Sequence, residues 1–565
     1  MAPAQDRPAS AKASAGNQSQ DRQPESSGRI SARATGVVSI AVMCSRVLGL
    51  IREQVFAGLF GAGKNLDAFL MAFRVPNLLR DLFAEGALST AFITTFSKKI
   101  ATEGDASAWR LGNKMATLTA IFMSAVTLVG IIFAPQIIYL MTGFGGWSPE
   151  KTAITVLLTR IMWPFILLVS LAALVMGMLN AKNVFGAPAM ASSYFNLGSI
   201  IGGVALGWWL DPHFGTRSLI GLAIGTLFGG LWQLLAQFPS LHHVGYRYGV
   251  DLRWRDPGVH TVLTLMGPAV IAASAVQVNV LVNSGFAARV TDASGHVIDG
   301  PVTWLNIAFR LMQLPIGVFG VAVGTVTLPL VSRTAALGDM AGFRSALAHA
   351  LRLVTLLTIP AAIGLIMLAE PIIAMLYQHG RFTFDATRQT AAALQFYAIG
   401  LAAYSAIKVL APAFYAIDRR YLPMIVSVFS IGLNFALNWF FMFKVRLGHR
   451  GLALSTSLVA LTNFVLLYIF MRRHSGRLET AQLLRTLLKV FAAGAVLAFI
   501  CWLAVQFFFA RMPLSLWEEA LELLMTIAVG AVAFFGVAYL LGVDEVRDVV
   551  DLVTRRFVRR NQPSA

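Results

Sequence analysis

Eight stretches without a single Asp, Glu, Lys or Arg run through the chain, at 115–149, 184–210, 218–241, 257–288, 421–443, 451–471, 490–510 and 523–543. Each is longer than the roughly 18 residues that a helix needs to cross a bilayer. Hydrocarbon offers no partner for a backbone N–H or C=O, so such runs must fold as helices that satisfy those groups internally. The composition agrees: 57% of the residues are hydrophobic and 13% charged, too few to cover a water-soluble globule of 565 residues with a polar shell.

Apolar runs broken by one to four charges raise the expected number of spans to about fourteen. The chain therefore reads as an all-α polytopic membrane protein. If its N-terminus is cytoplasmic, the inside segments carry well over twice the Lys and Arg of the outside loops, which places both termini inside. The same bias accounts for the formal charge of +18 without nucleic acid. Residues 1–28 read as a disordered cytoplasmic tail with no signal-peptide core, and 544–565 as an amphipathic helix on anionic lipid. Cys44 and Cys501 lie in apolar runs and read as small buried side chains.

The chain also resembles itself at an offset near 235 residues, where the segment from Ala134-Pro135 lines up with Glu370-Pro371 and Pro188 with Pro423. Two six-helix lobes in a parallel pseudo-repeat are expected, at 29–241 and 242–473, followed by two additional helices within 474–543. Transporters built this way place the substrate between the halves.

Charges in spans are costly, so they mark a cavity or a partner. The first two spans hold Arg46, Arg52, Glu53, Asp67, Arg74, Arg80, Asp81 and Glu85, and the eighth holds Arg310. Asp67, Arg74 and Asp81 recur every seven residues and share a helix face, so Arg74 reads as neutralised within a stripe. No acidic residue lies between Gly300 and Ala335, so Arg310 must meet another helix or a ligand. Arg46, Arg52, Arg80 and Arg310 together would suit a diphosphate, because guanidinium groups grip phosphate oxygens in pairs. Arg160, Arg352 and Lys408 read as cations that lie nearer span ends or snorkel to the interface.

The blocks Ser45-Arg-Val-Leu-Gly-Leu-Ile-Arg-Glu53, Ala72-Phe-Arg-Val-Pro-Asn-Leu-Leu-Arg80 and Leu82-Phe-Ala-Glu-Gly-Ala87 resemble the signature of the MurJ (MviN) family of lipid II flippases. So do Arg310-Leu-Met-Gln-Leu-Pro-Ile-Gly317 and Lys408-Val-Leu-Ala-Pro412. The resemblance implies the multidrug/oligosaccharidyl-lipid/polysaccharide exporter fold. It also implies a cargo, the undecaprenyl-diphosphate-linked disaccharide peptide called lipid II, carried to the outer leaflet of the bacterial inner membrane by alternating access. By the same resemblance Arg46, Arg52, Arg80 and Arg310 bind the head, Asp67 and Glu85 match further family positions, and a groove at the last two helices holds the lipid tail; Glu53, Asp67, Asp81 and Glu85 are expected to support the arginines. Phe309 and Gln313 stand near Arg310 where some members carry acidic residues, so its countercharge is expected from Glu53, Asp81 or Glu85.

The sequence holds no Gly-Lys-Ser/Thr phosphate loop and no Cys/His cluster, so no cofactor is expected and a metal site is not identified. The energy source is then the membrane potential or an ion gradient. A monomer bound to membrane lipids, with no nucleic acid partner, is expected. Two other readings remain open: an exporter of another polyprenyl-linked oligosaccharide or a drug, and an intramembrane enzyme acting on polyprenyl phosphates.

Overall fold

The computed structural model describes residues 32–82, 88–143, 146–509 and 516–547. Glu85, the tail 1–28 and most of the basic segment 544–565 lie outside the described residues. The first ten helices are α1 (Ala32–Phe60), α2 (Lys64–Leu79), α3 (Ser89–Glu103), α4 (Asp105–Ile132), α5 (Ala134–Met141), α6 (Pro149–Met162), α7 (Phe165–Ala181), α8 (Gly186–Leu210), α9 (Ser218–Leu235) and α10 (Phe238–His243). Next come α11 (Pro257–Ala287), α12 (Pro301–Pro315), α13 (Val321–Ala336), α14 (Met340–Met367), α15 (Ala369–Tyr377), α16 (Phe384–Ala398), α17 (Leu401–Ala416), α18 (Tyr421–Trp439) and α19 (Gly448–Ser475). Two more helices, α20 (Thr480–Ala504) and α21 (Leu516–Leu540), close the order.

The element starts recur. Asp105, Ala134, Pro149 and Gly186 open α4, α5, α6 and α8, and Met340, Ala369, Phe384 and Tyr421 open α14, α15, α16 and α18 at the same spacing of 235 residues. In each set a long helix breaks into a short one with a proline in its first turn, where the missing N–H costs nothing.

Among the described residues ten helical segments are long and apolar enough to cross a membrane, or eleven if α16 and α17, bent by 44°, form one span. The expected fourteen is not reached by that criterion. The three further spans read from sequence coincide with α1, with α2 and α3, and with α11.

Small residues set the tightest helix pair. Gly221, Gly225 and Gly229 of α9 recur every four residues and meet α8 backbone to backbone, so a Cβ at Gly225 would lie 2.1 Å from the Gly203 nitrogen. In a bilayer, where apolar side chains gain little from leaving lipid, such close approach is a principal source of helix association. The last two helices pack on each other and on α14 and α15, burying Val490, Leu497, Cys501 and Phe534 against Leu356 and Leu368. At the start of α11, Asp256 accepts from the Gly258 N–H and pairs with Lys114 of α4 at 2.5 Å, tying the two sets of helices together.

Candidate functional site

Helices α1, α2, α8 and α9 from the first set, and α12 and α17 from the second, enclose a cavity of about 580 Å³. Into it the fold brings Arg46 and Arg52 from α1, Arg74 from α2, Arg80 from the end of that helix, Arg310 from α12 and Lys408 from α17. Among the described residues Glu53 is the one carboxylate in the lining. Asn77, Asn196, Asn306, Gln233 and Gln313 add neutral hydrogen-bonding groups.

Backbone geometry explains why the arginines fit. Helix α12 ends at Pro315 and passes through a π-helical turn, Ile316–Gly320, before α13 begins. That turn puts Gly317 against Arg46, where a Cβ would stand 2.8 Å from Arg46 Nη1. Glycine leaves the room that the guanidinium fills. Arg52 lies over the Phe195 ring at 5.1 Å, a cation–π contact that holds the head in place without using its hydrogen-bond donors. Asn196 donates to the Ser45 carbonyl at 3.1 Å and anchors α8 beside the two α1 arginines.

Two ion pairs temper the charge. Arg310 Nε meets Glu53 Oε1 at 2.5 Å, so its countercharge comes from α1, and Glu53 fills the place that the sequence left open between three carboxylates. Arg310 keeps 44% of its side chain exposed, with donors free to take a second partner. Arg80 meets Asp81 Oδ1 at 2.8 Å through Nη2, and Asp81 itself stands outside the lining.

The stripe expected of Asp67, Arg74 and Asp81 does not form here. Arg74 is not neutralised by a stripe with Asp67 and Asp81: it lines the cavity, and its buried Nε has no hydrogen-bond partner among the described residues. Asp67 is not in the lining. It is 1% exposed, accepts from the Gly300 N–H at 2.7 Å and from the Thr303 N–H and hydroxyl at 2.9 and 2.7 Å, and pairs with Lys151 at 3.3 Å. Those partners are far away in the chain, so heptad spacing could not reveal them. Asp67 is an N-terminal cap for α12 supplied by α2, with Lys151 of α6 balancing the charge. Lys408 is a further correction, since it faces the cavity and not the interface.

Among the described residues, six cations line the cavity against Glu53 in the lining and Asp81 beside it, an excess of positive charge that lipid cannot satisfy. Desolvated positive charge in a bilayer demands an anion or water, and planar guanidinium forks match the oxygens of a phosphate or diphosphate. Among the described residues no group of three His, Cys, Asp or Glu side chains could hold a metal ion.

Known proteins place this architecture. Residues 56–518 match the family model described as lipid II flippase MurJ. A lipid II flippase MurJ of Burkholderia cenocepacia is 32% identical over 515 residues, covering 90% of this chain and 97% of that protein. A probable lipid II flippase MurJ of Vibrio cholerae is 32% identical over 520 residues, covering 90% and 95%. Among solved structures, a lipid II flippase MurJ in an inward closed conformation superposes with a TM-score of 0.71 at 26% identity, covering 88% of this chain and 98% of that one. An inward-facing multidrug transporter of the MATE family and MOP superfamily shares the fold alone, with a TM-score of 0.66 at 16% identity over 79% of this chain and 99% of its own. With the family model spanning most of the chain and relatives matched almost end to end, this chain belongs to the MurJ family of lipid II flippases.

Proposed function

We propose that this chain moves lipid II from the cytoplasmic to the outer leaflet of the bacterial inner membrane, with Arg46, Arg52, Arg80 and Arg310 holding the diphosphate and its adjoining sugar. Arg74 and Lys408 join that set. The observation that carries the reading is the convergence of six cationic side chains from both sets of helices on one cavity, in whose lining Glu53 is the one carboxylate among the described residues.

The chemistry is binding and release. In the empty site Glu53 occupies Arg310, and an incoming diphosphate competes for the same guanidinium, so binding exchanges one charge-assisted pair for another. A head held from both lobes, 29–241 and 242–473, couples cargo to their relative rocking. The cargo leaves chemically unchanged, and the membrane potential or an ion gradient supplies the energy. The chain works as a monomer with both termini cytoplasmic, and the cavity's positive lining disfavours a cationic drug as cargo.

Depleting the protein in its host and assaying the leaflet in which lipid II accumulates tests the reading. Accumulation on the cytoplasmic side is expected. Normal export after depletion, or release of a cleaved product from labelled lipid II by the purified protein, would overturn it.

A further inference from the structure

The two halves of the repeat treat the break between α4 and α5, and between α14 and α15, in the same way with one difference. In the first half the Ile131 carbonyl finds no N–H four residues on, because residue 135 is proline, and Arg160 Nε of α6 donates to it at 3.2 Å. In the second half Gln395 Nε2 of α16 donates to the Ile366 carbonyl of α14, also at 3.2 Å. Arg160 and Gln395, and Ile131 and Ile366, each stand 235 residues apart, so the bond is repeated and only the side chain differs. A neutral amide serves one half and a guanidinium the other. The surroundings differ too: α20 and α21 pack on α14 and α15, whereas α4 leaves Leu128, Val129 and Ile132 exposed beside its break.

Arg160 stands outside the lining of the arginine cavity. It is exposed next to the exposed Leu157, and its two terminal nitrogens have no partner among the described residues. Both α4 and α6 belong to segments long and apolar enough to cross a membrane. The charge-free run of α4 starts at Met115, sixteen residues before Ile131. That is about 24 Å of helix in a hydrocarbon layer of about 30 Å, which sets the Ile131 carbonyl about 6 Å inside the far boundary. Side chains lean toward the start of their helix, and for α6 that is the same far side. The bond to the Ile131 carbonyl holds the guanidinium at this level among apolar side chains, where a charge is costly without an anion. The anion that a bilayer itself offers is a headgroup phosphate, and the free Nη1–Nη2 edge presents two donors that match its oxygens.

We propose that Arg160 holds the phosphate of a phospholipid in the leaflet farther from Lys114, at the break between α4 and α5. With the termini in the cytoplasm, that is the outer leaflet. The headgroup is drawn about 6 Å below its neighbours, so the leaflet thins locally beside α4 and α6. The acyl chains of this lipid lie along Leu128, Val129 and Ile132, and the bound lipid covers in the first half the surface that α20 and α21 cover in the second.

The test uses the purified full chain in maltoside micelles, which carry no phosphate, and phosphatidylglycerol with a photoreactive group beside its headgroup. A diacylglycerol with the same reactive group and no phosphate is the control. Labelling of residues 128–133 and 157–160 should be about tenfold stronger with phosphatidylglycerol, the scale of one hydrogen-bonded charge. Arg160→Gln takes the residue of the second half and so retains a donor for the Ile131 carbonyl; it should keep the wild-type Tm and lose the tenfold excess. Equal labelling of the wild type by the two probes would overturn the proposal, because the contact would then be apolar alone. An Arg160→Gln protein that keeps the excess would also overturn it. So would loss of the excess in millimolar inorganic phosphate, because the site would then take free phosphate from water. The two-probe comparison needs no variant, so it decides the question even if the substitution unfolds the protein.

Discussion

Asp67 and Arg74 lie two turns apart on α2, yet they meet opposite fates. The carboxylate is sealed between helices with three hydrogen bonds and a lysine. The guanidinium faces a cavity with its Nε unpartnered among the described residues. The difference teaches how to tell a structural charge from a binding one inside a membrane. A saturated group has nothing left to offer a ligand. A group held at high cost with unmet donors is awaiting one.

The largest effect should come from the cavity side. Arg310→Ala is expected to abolish complementation of a depleted host even in the molecules that reach the membrane. Because Glu53 is only 10% exposed and loses its partner, Arg310→Gln, which can still donate to that carboxylate, is the companion variant that should keep membrane abundance near normal and still fail to complement. Affinity for lipid II should fall by about a hundredfold, the scale of one desolvated charge-assisted pair. Persistent growth with Arg310→Ala would remove it from the binding set.

Asp67→Ala should act in the opposite way. The change uncaps α12, leaving the Gly300 and Thr303 N–H groups without their acceptor, while Lys151 keeps Asp299 at 2.6 Å, so the cost is about 1–3 kcal/mol. Low abundance and a reduced Tm in detergent are expected, and transport per surviving molecule should be less affected. Normal abundance together with lost transport would place Asp67 on the binding side of the comparison.

Arg74→Ala sharpens the contrast on the same helix. It should keep its abundance and weaken lipid II binding by about tenfold, a smaller loss than at Arg310 because it is one of several cations around one anion. Collapse of abundance with intact affinity would move Arg74 to the structural side after all.

The smallest effect concerns the other clasp between the helix sets. Burial works against the Asp256 charge, but hydrogen bonds from Lys114 and the Gly258 N–H outweigh it and hold the carboxyl below its ordinary value of 3.8. A depressed folded-state value means that the clasp contributes fully above the ordinary value and fades as pH falls through the folded one. The Tm should therefore drop slightly on acidification below about pH 4, and Asp256→Asn should flatten that slope. An unchanged slope would mean that the clasp is not coupled to folding.

Much of this was legible in the sequence. Charge-free runs announced the helices, and the 235-residue self-similarity reappears in where α4, α5, α6 and α8 and their later counterparts begin. The four arginines that stood out as costly do gather around one cavity. Arg74 and Asp67 were misjudged for one reason. Seven-residue spacing shows that two side chains share a face of a helix, not what lies opposite that face. Lys408 was misjudged because a cation near a span end can reach outward to the interface or inward to water, and only the neighbouring helices decide which.

Sequence by itself determined that this chain lives in a bilayer and pays for an unusual concentration of positive charge there, because hydrophobicity and ionisation are properties of each residue wherever it sits. It also determined Arg310's need for a partner from elsewhere. Which partner each charge received was decided by tertiary structure alone: Glu53 for Arg310, the α12 terminus and Lys151 for Asp67, the open cavity for Arg74. Pairing depends on distances of a few ångströms between helices that are remote in the chain, and no local pattern encodes that separation.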